Sequence, residues 1–206
     1  MQSGVWVNAD NAESQQHQPG ERAMEQTASG NVVINPDGSR TTSYEVPTDS
    51  STLERLMREI FEQHWDGITA GPILQGAAYE LMYNKPPKVT LSAGYLTVDT
   101  GEYHFHLHLG VPEGEKGSTS DPELARQRKV SRAIFFSETR EGGKGCLPGS
   151  WGFRMWNGVG EQMITIYFPN PYFDKQGMLK EPQHDRLQLW ERMRDQYAGA
   201  APGGNA

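Results

Sequence analysis

The chain has 206 residues and a mass of 23.0 kDa, enough for one domain with a core of ordinary size. Its formal net charge of -7 excludes the basic surface that general nucleic-acid binding needs. No apolar run approaches the roughly 18 residues of a membrane span, no signal peptide is legible, and the single cysteine, Cys146, excludes an internal disulfide framework. A cytoplasmic protein with no nucleic-acid or membrane partner is expected, because a reducing compartment suits one free thiol.

Residues 1–30 are rich in Gln, Ser, Asn and Glu and read as a disordered leader, so His17 within them is set aside as a ligand. A single domain is expected over 31–197, with a flexible tail at 198–206. Val32-Val33-Ile34, the turn residues Asn35-Pro36-Asp37-Gly38, and Ser43-Tyr44-Glu45-Val46 spell a β-hairpin.

The first helix follows. Ser51 and Glu54 have capping-box spacing, with Thr48, Asp49 and Ser50 as other caps, and Leu53, Leu56, Met57, Ile60 and Phe61 recur on one face up to Gly67. His64 falls on that face, where a partly buried helix-end histidine with a backbone partner is expected. Ile73 to Tyr83 reads as a strand that stops at Asn84-Lys85-Pro86-Pro87.

Strands over Lys88–Leu91 and Gly94–Val98 lead into Glu102-Tyr103-His104-Phe105-His106-Leu107-His108-Leu109, which alternates three of the six histidines with apolar residues. A period of two is that of a β-strand with one apolar face and one imidazole face. A tight hairpin on Thr100-Gly101 would set Val98 opposite Tyr103, Leu96 opposite Phe105, Thr97 opposite His104 and Tyr95 opposite His106. The loop Val111–Thr119 leads to a second helix from Pro122 to about Arg132, capped by Ser120-Asp121. Its Arg126, Arg128, Lys129 and Arg132 read as a solvated basic face.

A strand over Val130–Ser137 and a glycine-rich loop holding Cys146 come next. A hairpin then turns at Asn157-Gly158, where Arg154 and Glu161 are expected as a cross-strand pair. Pro169-Asn170-Pro171 ends the return strand. The last helix runs from about Pro182 to Tyr197, with Leu187, Trp190, Met193 and Tyr197 inward.

Histidines two apart on a strand are roughly 6.5 to 7 Å apart at Cα, an easy span for one ion bound about 2.0 to 2.1 Å from each ring. His104 and His108 are roughly 13 Å apart by the same rise, so all three share an ion only on a bent strand. The expected metal ligands are His104, His106 and His108, with Cys146, His64, His184 or Glu80 completing the shell. Zinc, iron, nickel and copper all suit imidazole. Glu113, in the loop after the strand, and Tyr95, across the hairpin, are the candidates for proton transfer.

Tyr103-His104-Phe105-His106 followed by Leu107 resembles the His-X-His strand of α-type carbonic anhydrases, in which two imidazoles bind zinc and a neighbouring strand brings a third. Here the neighbouring strand Gly94–Asp99 has no histidine. Glu113, five residues after His108, makes the stretch similar to the first cupin motif, but a second cupin motif is missing. Over more of the chain, Trp151–Gly158, Gly160-Glu161-Gln162-Met163 and Phe168-Pro169-Asn170-Pro171-Tyr172 resemble a bacterial family of unknown function. That resemblance implies that about 50–197 is one unit and supplies no activity.

The expected fold is α+β, a curved antiparallel sheet of about seven to eight strands packed with three helices over one face. The function expected first is metal binding on the histidine strand, with a metal-dependent enzyme acting on a small molecule as its extension. The alternative is a non-enzymatic ligand-binding or chaperone-like protein, or homodimer, using an open sheet face near Trp151, Trp156 and Tyr95.

Overall fold

The computed structural model describes residues 30–74, 76–111, 114, 116, 117, 121–140 and 148–198; residues 1–29 of the expected leader, Glu113 and Cys146 lie outside them. The first hairpin forms from β1 (Asn31–Ile34) and β2 (Arg40–Val46). Its turn is tied by side chains, Asn35 Nδ2 donating to Ser39 Oγ at 2.8 Å and Ser39 N donating to Asp37 Oδ1 at 3.0 Å. Gly38, with φ of +80°, takes the left-handed position the turn requires.

Helix α1 (Ser50–Arg58) is capped by Asp49, whose Oδ1 accepts from Thr52 N at 2.9 Å and from Ser51 Oγ at 2.7 Å. The expected Ser51–Glu54 capping box therefore does not form. A carboxylate accepts more strongly than a hydroxyl, and it takes both the backbone N–H and the Ser51 proton; Glu54 instead accepts from Arg58 Nε at 2.8 Å. The helix then widens into one π-helical turn, Glu59–Gln63, which buries Ile60 and Phe61, before a short 3-10 turn at Trp65–Gly67.

The stretch expected as one strand up to Tyr83 is instead broken. After β3 (Thr69–Gly71), Pro72 has no N–H to continue a ladder, and the chain folds into β4 (Ile73–Leu74), β5 (Ala77–Ala78) and β6 (Leu81–Met82). The strands β7 (Lys88–Ser92), β8 (Tyr95–Asp99) and β9 (His104–His108) form a meander of their own. Helix α2 (Pro122–Arg128) is capped by Asp121 and is shorter than expected, because Val130 already begins β10 (Val130–Thr139). Then follow β11 (Gly149–Asn157), β12 (Gln162–Tyr167), the small pair β13 (Phe173–Asp174) and β14 (Gly177–Met178), a 3-10 turn at His184–Leu187, and α3 (Gln188–Tyr197).

The result is an α+β fold built on an open seven-stranded antiparallel sheet in the order β1-β2-β10-β11-β12-β3-β6, with β7-β8-β9 as a separate three-stranded sheet. The histidine strand thus lies outside the main sheet. Alternation puts Phe135, Phe153, Met155, Ile164 and Ile166 on the main sheet's inner face, against Leu53, Leu56 and Met57 of α1 and Trp190 and Met193 of α3. Leu96, Val98, Leu107 and Leu109 of the meander join the same core, and Phe61 meets Phe105 edge-on at 5.9 Å. Each such side chain contributes about 1.5–3 kcal/mol when fully buried. Helix α2 buries no residue, so α1 and α3 are the helices that cover the sheet.

The turn between β11 and β12 is longer than the expected Asn157-Gly158 pair. Asn157 N donates to Glu161 O at 2.9 Å, and Gly160, at φ +82°, takes the left-handed position. Gly158 is needed for another reason, since a Cβ there would lie 2.0 Å from Arg126 O of α2. Nor do Arg154 and Glu161 pair. Arg154 sits opposite Thr165 and donates to its Oγ1 at 3.1 Å, while Glu161 accepts from Asn157 Nδ2.

Candidate functional site

The histidine strand forms as its alternation requires, with Phe105, Leu107 and Leu109 toward the core and the imidazoles on the opposite face. Its register differs from expectation by one full pleat repeat. Tyr95 pairs with His108, Thr97 with His106, and Asp99 with His104. The turn causes the shift. Asp99 Oδ1 accepts from Gly101 N at 2.7 Å, and Thr100 Oγ1 accepts from Tyr103 N at 3.1 Å, so side chains cap a loop that runs to Tyr103. A shift of a whole repeat leaves every side chain on its expected face.

The three imidazoles have different surroundings. His104 and His106 are exposed, their ring centroids 5.1 Å apart, and His106 Nδ1 lies 2.7 Å from Thr97 Oγ1. His108 is 5% exposed, packs edge-on against Tyr95 at 4.5 Å, and has no partner for Nδ1 among the described residues. Burial first, then the charges of Arg128 and Lys129, hold its pKa below the ordinary imidazole value. Tyr95 in turn accepts from Arg128 Nη1 at 3.4 Å. The cationic end of α2 therefore stands over His108 and Tyr95, while His104 and His106 remain in the open.

Of the residues expected to complete a metal shell, His64, His184 and Glu80 lie elsewhere, and Cys146 is outside the described residues. His64 Nε2 is 2.9 Å from Arg192 Nη2, so its partner is a side chain of α3 rather than backbone. Because the guanidinium only donates, that contact needs a neutral imidazole; burial and then the Arg192 charge lower the His64 pKa accordingly. His184 meets Tyr172 edge-on at 6.0 Å. Among the described residues no cluster of three or more His, Cys, Asp or Glu side chains is arranged to hold an ion.

On the outer face of the main sheet, Arg132 lies over Trp156 at 4.9 Å and Arg154 over Phe136 at 4.4 Å. Trp156 is thus covered by cations, and Trp151 packs on the core side, so the aromatic residues expected on one open face are divided between two.

A cleft of about 940 Å³, not expected from the sequence, lies at the end of the main sheet. Its apolar walls include Ile68, Met82, Trp151, Phe168, Pro169 and Leu189. Asn170 builds one side, donating from Nδ2 to Gly149 O at 2.8 Å, accepting from Tyr172 N at Oδ1, and accepting from Arg186 Nε at its carbonyl. Trp151 stacks on Tyr172 with centroids 6.4 Å apart. The signal available in the sequence was the Trp151 and Phe168-Pro169-Asn170 pattern, which the structure brings together here.

The chain belongs to a family of unknown function (DUF7676), matched over residues 31–199. No curated protein matches it.

Proposed function

We propose that this protein binds a small organic molecule in the cleft at the end of the main sheet, in a reducing, cytoplasmic compartment suited to its one cysteine. The observation that carries this reading is the cleft's volume of about 940 Å³ with a mostly apolar wall and a few polar groups, the usual form of a small-molecule site. The Asn170 hydrogen bonds hold one wall in place without a ligand, so little ordering accompanies binding. A fragment screen read by amide chemical shifts tests it. Hits should move the resonances of Thr69, Trp151 and Leu189; hits confined to other surfaces, or none at all, would reject the reading.

A second reading rests on His104 and His106, and it keeps the metal while releasing His108 from the ligand set. Two imidazoles bound to one tetrahedral ion about 2.0–2.1 Å from each nitrogen have centroids about 5 Å apart, close to the 5.1 Å found. With its proton on Nδ1, His106 donates to Thr97 and keeps the Nε2 lone pair outward, the usual second contact of a metal-bound histidine. A zinc, nickel, copper or iron ion held there would keep water at its other positions, and that water would have a lowered pKa. Added Zn(II) or Ni(II) at 100 times Kd should stabilise the parent by about 2.7 kcal/mol, read as a raised Tm, and leave a His104→Ala/His106→Ala variant unchanged. An unchanged parent Tm would remove this reading.

A further inference from the structure

Resting on the cleft reading above, we infer that the ligand is an apolar organic cation, an ammonium or quaternary ammonium carried on a hydrophobic body. Two independent features of the cleft point the same way. The first is charge. Among the described residues, Asp66, Glu80, Asp174 and Asp185 line it against Lys175 and Arg186, so carboxylates are in excess there. Arg186 is also engaged, since its Nε donates to the Asn170 carbonyl at 2.9 Å, whereas Glu80 and Asp185 are exposed at the rim. A cleft with low-dielectric walls concentrates the field of such a rim, attracting cations and repelling anions.

The second feature is aromatic. Trp151, Tyr167, Phe168 and Phe173 all contribute to the lining. The faces of such rings attract a weakly hydrated cation, most strongly where water is excluded, and tryptophan does so best. Phe173 and Met82 are exposed large apolar residues, 42% and 53%, where the cleft opens. The small β13–β14 pair places Phe173 and Asp174 next to each other on that lip. A ligand with a charged head and an apolar body satisfies both features, and a carboxylate or phosphate satisfies neither.

The test uses the full chain and three ligands of matched shape, 4-tert-butylphenyltrimethylammonium, 1,4-di-tert-butylbenzene at its solubility limit, and 4-tert-butylbenzoate, with binding followed by tryptophan fluorescence and amide shifts. The cation should bind at least about tenfold more tightly than either of the others, the rim carboxylates and a cation–aromatic contact each supplying about threefold. A Glu80→Gln/Asp185→Asn variant, altered only at exposed rim positions, should bring the three within about threefold of one another by removing the charge excess. Trp151→Leu should weaken the cation more than the neutral ligand. If the neutral or anionic ligand binds the cleft as tightly as the cation, the ligand class is wrong while the cleft remains a binding site. If none of the three moves a cleft resonance while a broader fragment set does, the class is likewise wrong; if nothing does, the cleft reading falls with it.

Discussion

Tyr197 Oη donates to Glu59 Oε2 at 2.7 Å, joining the last helix to the π-helical turn that ends the first. Glu59 is 12% exposed at its side chain, and its other oxygen accepts from Arg192 Nη1, also at 2.7 Å. Burial works against this charge, but the hydrogen bonds from Arg192 and Tyr197 outweigh it and leave the Glu59 pKa below the ordinary value. A Tyr197→Phe variant should lose about 1–3 kcal/mol, because a bond to a charged, partly buried acceptor is removed. Urea unfolding at pH 7 measures this, and a loss no larger than that of an exposed substitution would show that Arg192 alone suffices.

The cap of α1 gives a second prediction. Asp49→Ala should cost about 1 kcal/mol, since both Thr52 N and Ser51 Oγ lose their acceptor. Glu54→Ala should cost less than about 0.5 kcal/mol, the value of an i,i+4 pair with Arg58. Equal losses in thermal unfolding would restore the capping box that the Ser51–Glu54 spacing suggests.

Gly158 supplies a third. An alanine Cβ there would meet Arg126 O at 2.0 Å, and backbone cannot step aside as a flexible side chain does. Gly158→Ala should destabilise by about 1–3 kcal/mol through forced displacement, with loss of the 3.0 Å bond from Gly158 N to Gln127 O. Gly160→Ala, where the space is open but φ is +82°, should cost about 1–2 kcal/mol by conformation alone. A stable Gly158→Ala with unchanged amide shifts in α2 would contradict the close approach.

The fourth concerns pH. The folded pKa of His108 lies below that of an unfolded chain, and that of His64 is displaced in the same direction. As pH falls through about 6.5 the unfolded chain takes up these protons first, so stability falls with falling pH and levels off below the folded pKa values. Chemical denaturation between pH 7.5 and 5 should show this slope. His108→Phe keeps the ring against Tyr95, removes the unpartnered Nδ1, and should flatten the slope; an unaltered slope would assign it to other groups.

What the sequence made legible was alternation. The faces of the histidine strand, the inward stripe of α1 and the apolar positions of the last helix all follow from periods of two or 3.6, because burial acts on every residue of an element at once. Register and capping were not legible, since each depends on which of several polar side chains wins a single hydrogen bond. Asp49 displaced Ser51, and Asp99 with Thr100 lengthened a turn. The site was harder still. Trp151, Asn170 and Glu80 are distant in sequence and meet only through the strand order, so no local spacing marks the cleft, whereas the spacing of His104, His106 and His108 drew attention to a face that the fold divides.

The strand order also governs how the chain reaches its native state. Ser43 of β2 pairs with Phe136 of β10, and Ala70 of β3 with Ile166 of β12, so the two ladders that flank the central β10-β11-β12 strands close only after the intervening chain has been gathered in. The β7-β8-β9 meander needs only neighbouring segments and closes over short loops. Because closing long loops costs entropy before their contacts form, refolding should be slow for the chain's size, about milliseconds to seconds. Amide protection should then appear in the histidine meander before the β2–β10 and β3–β12 ladders acquire theirs.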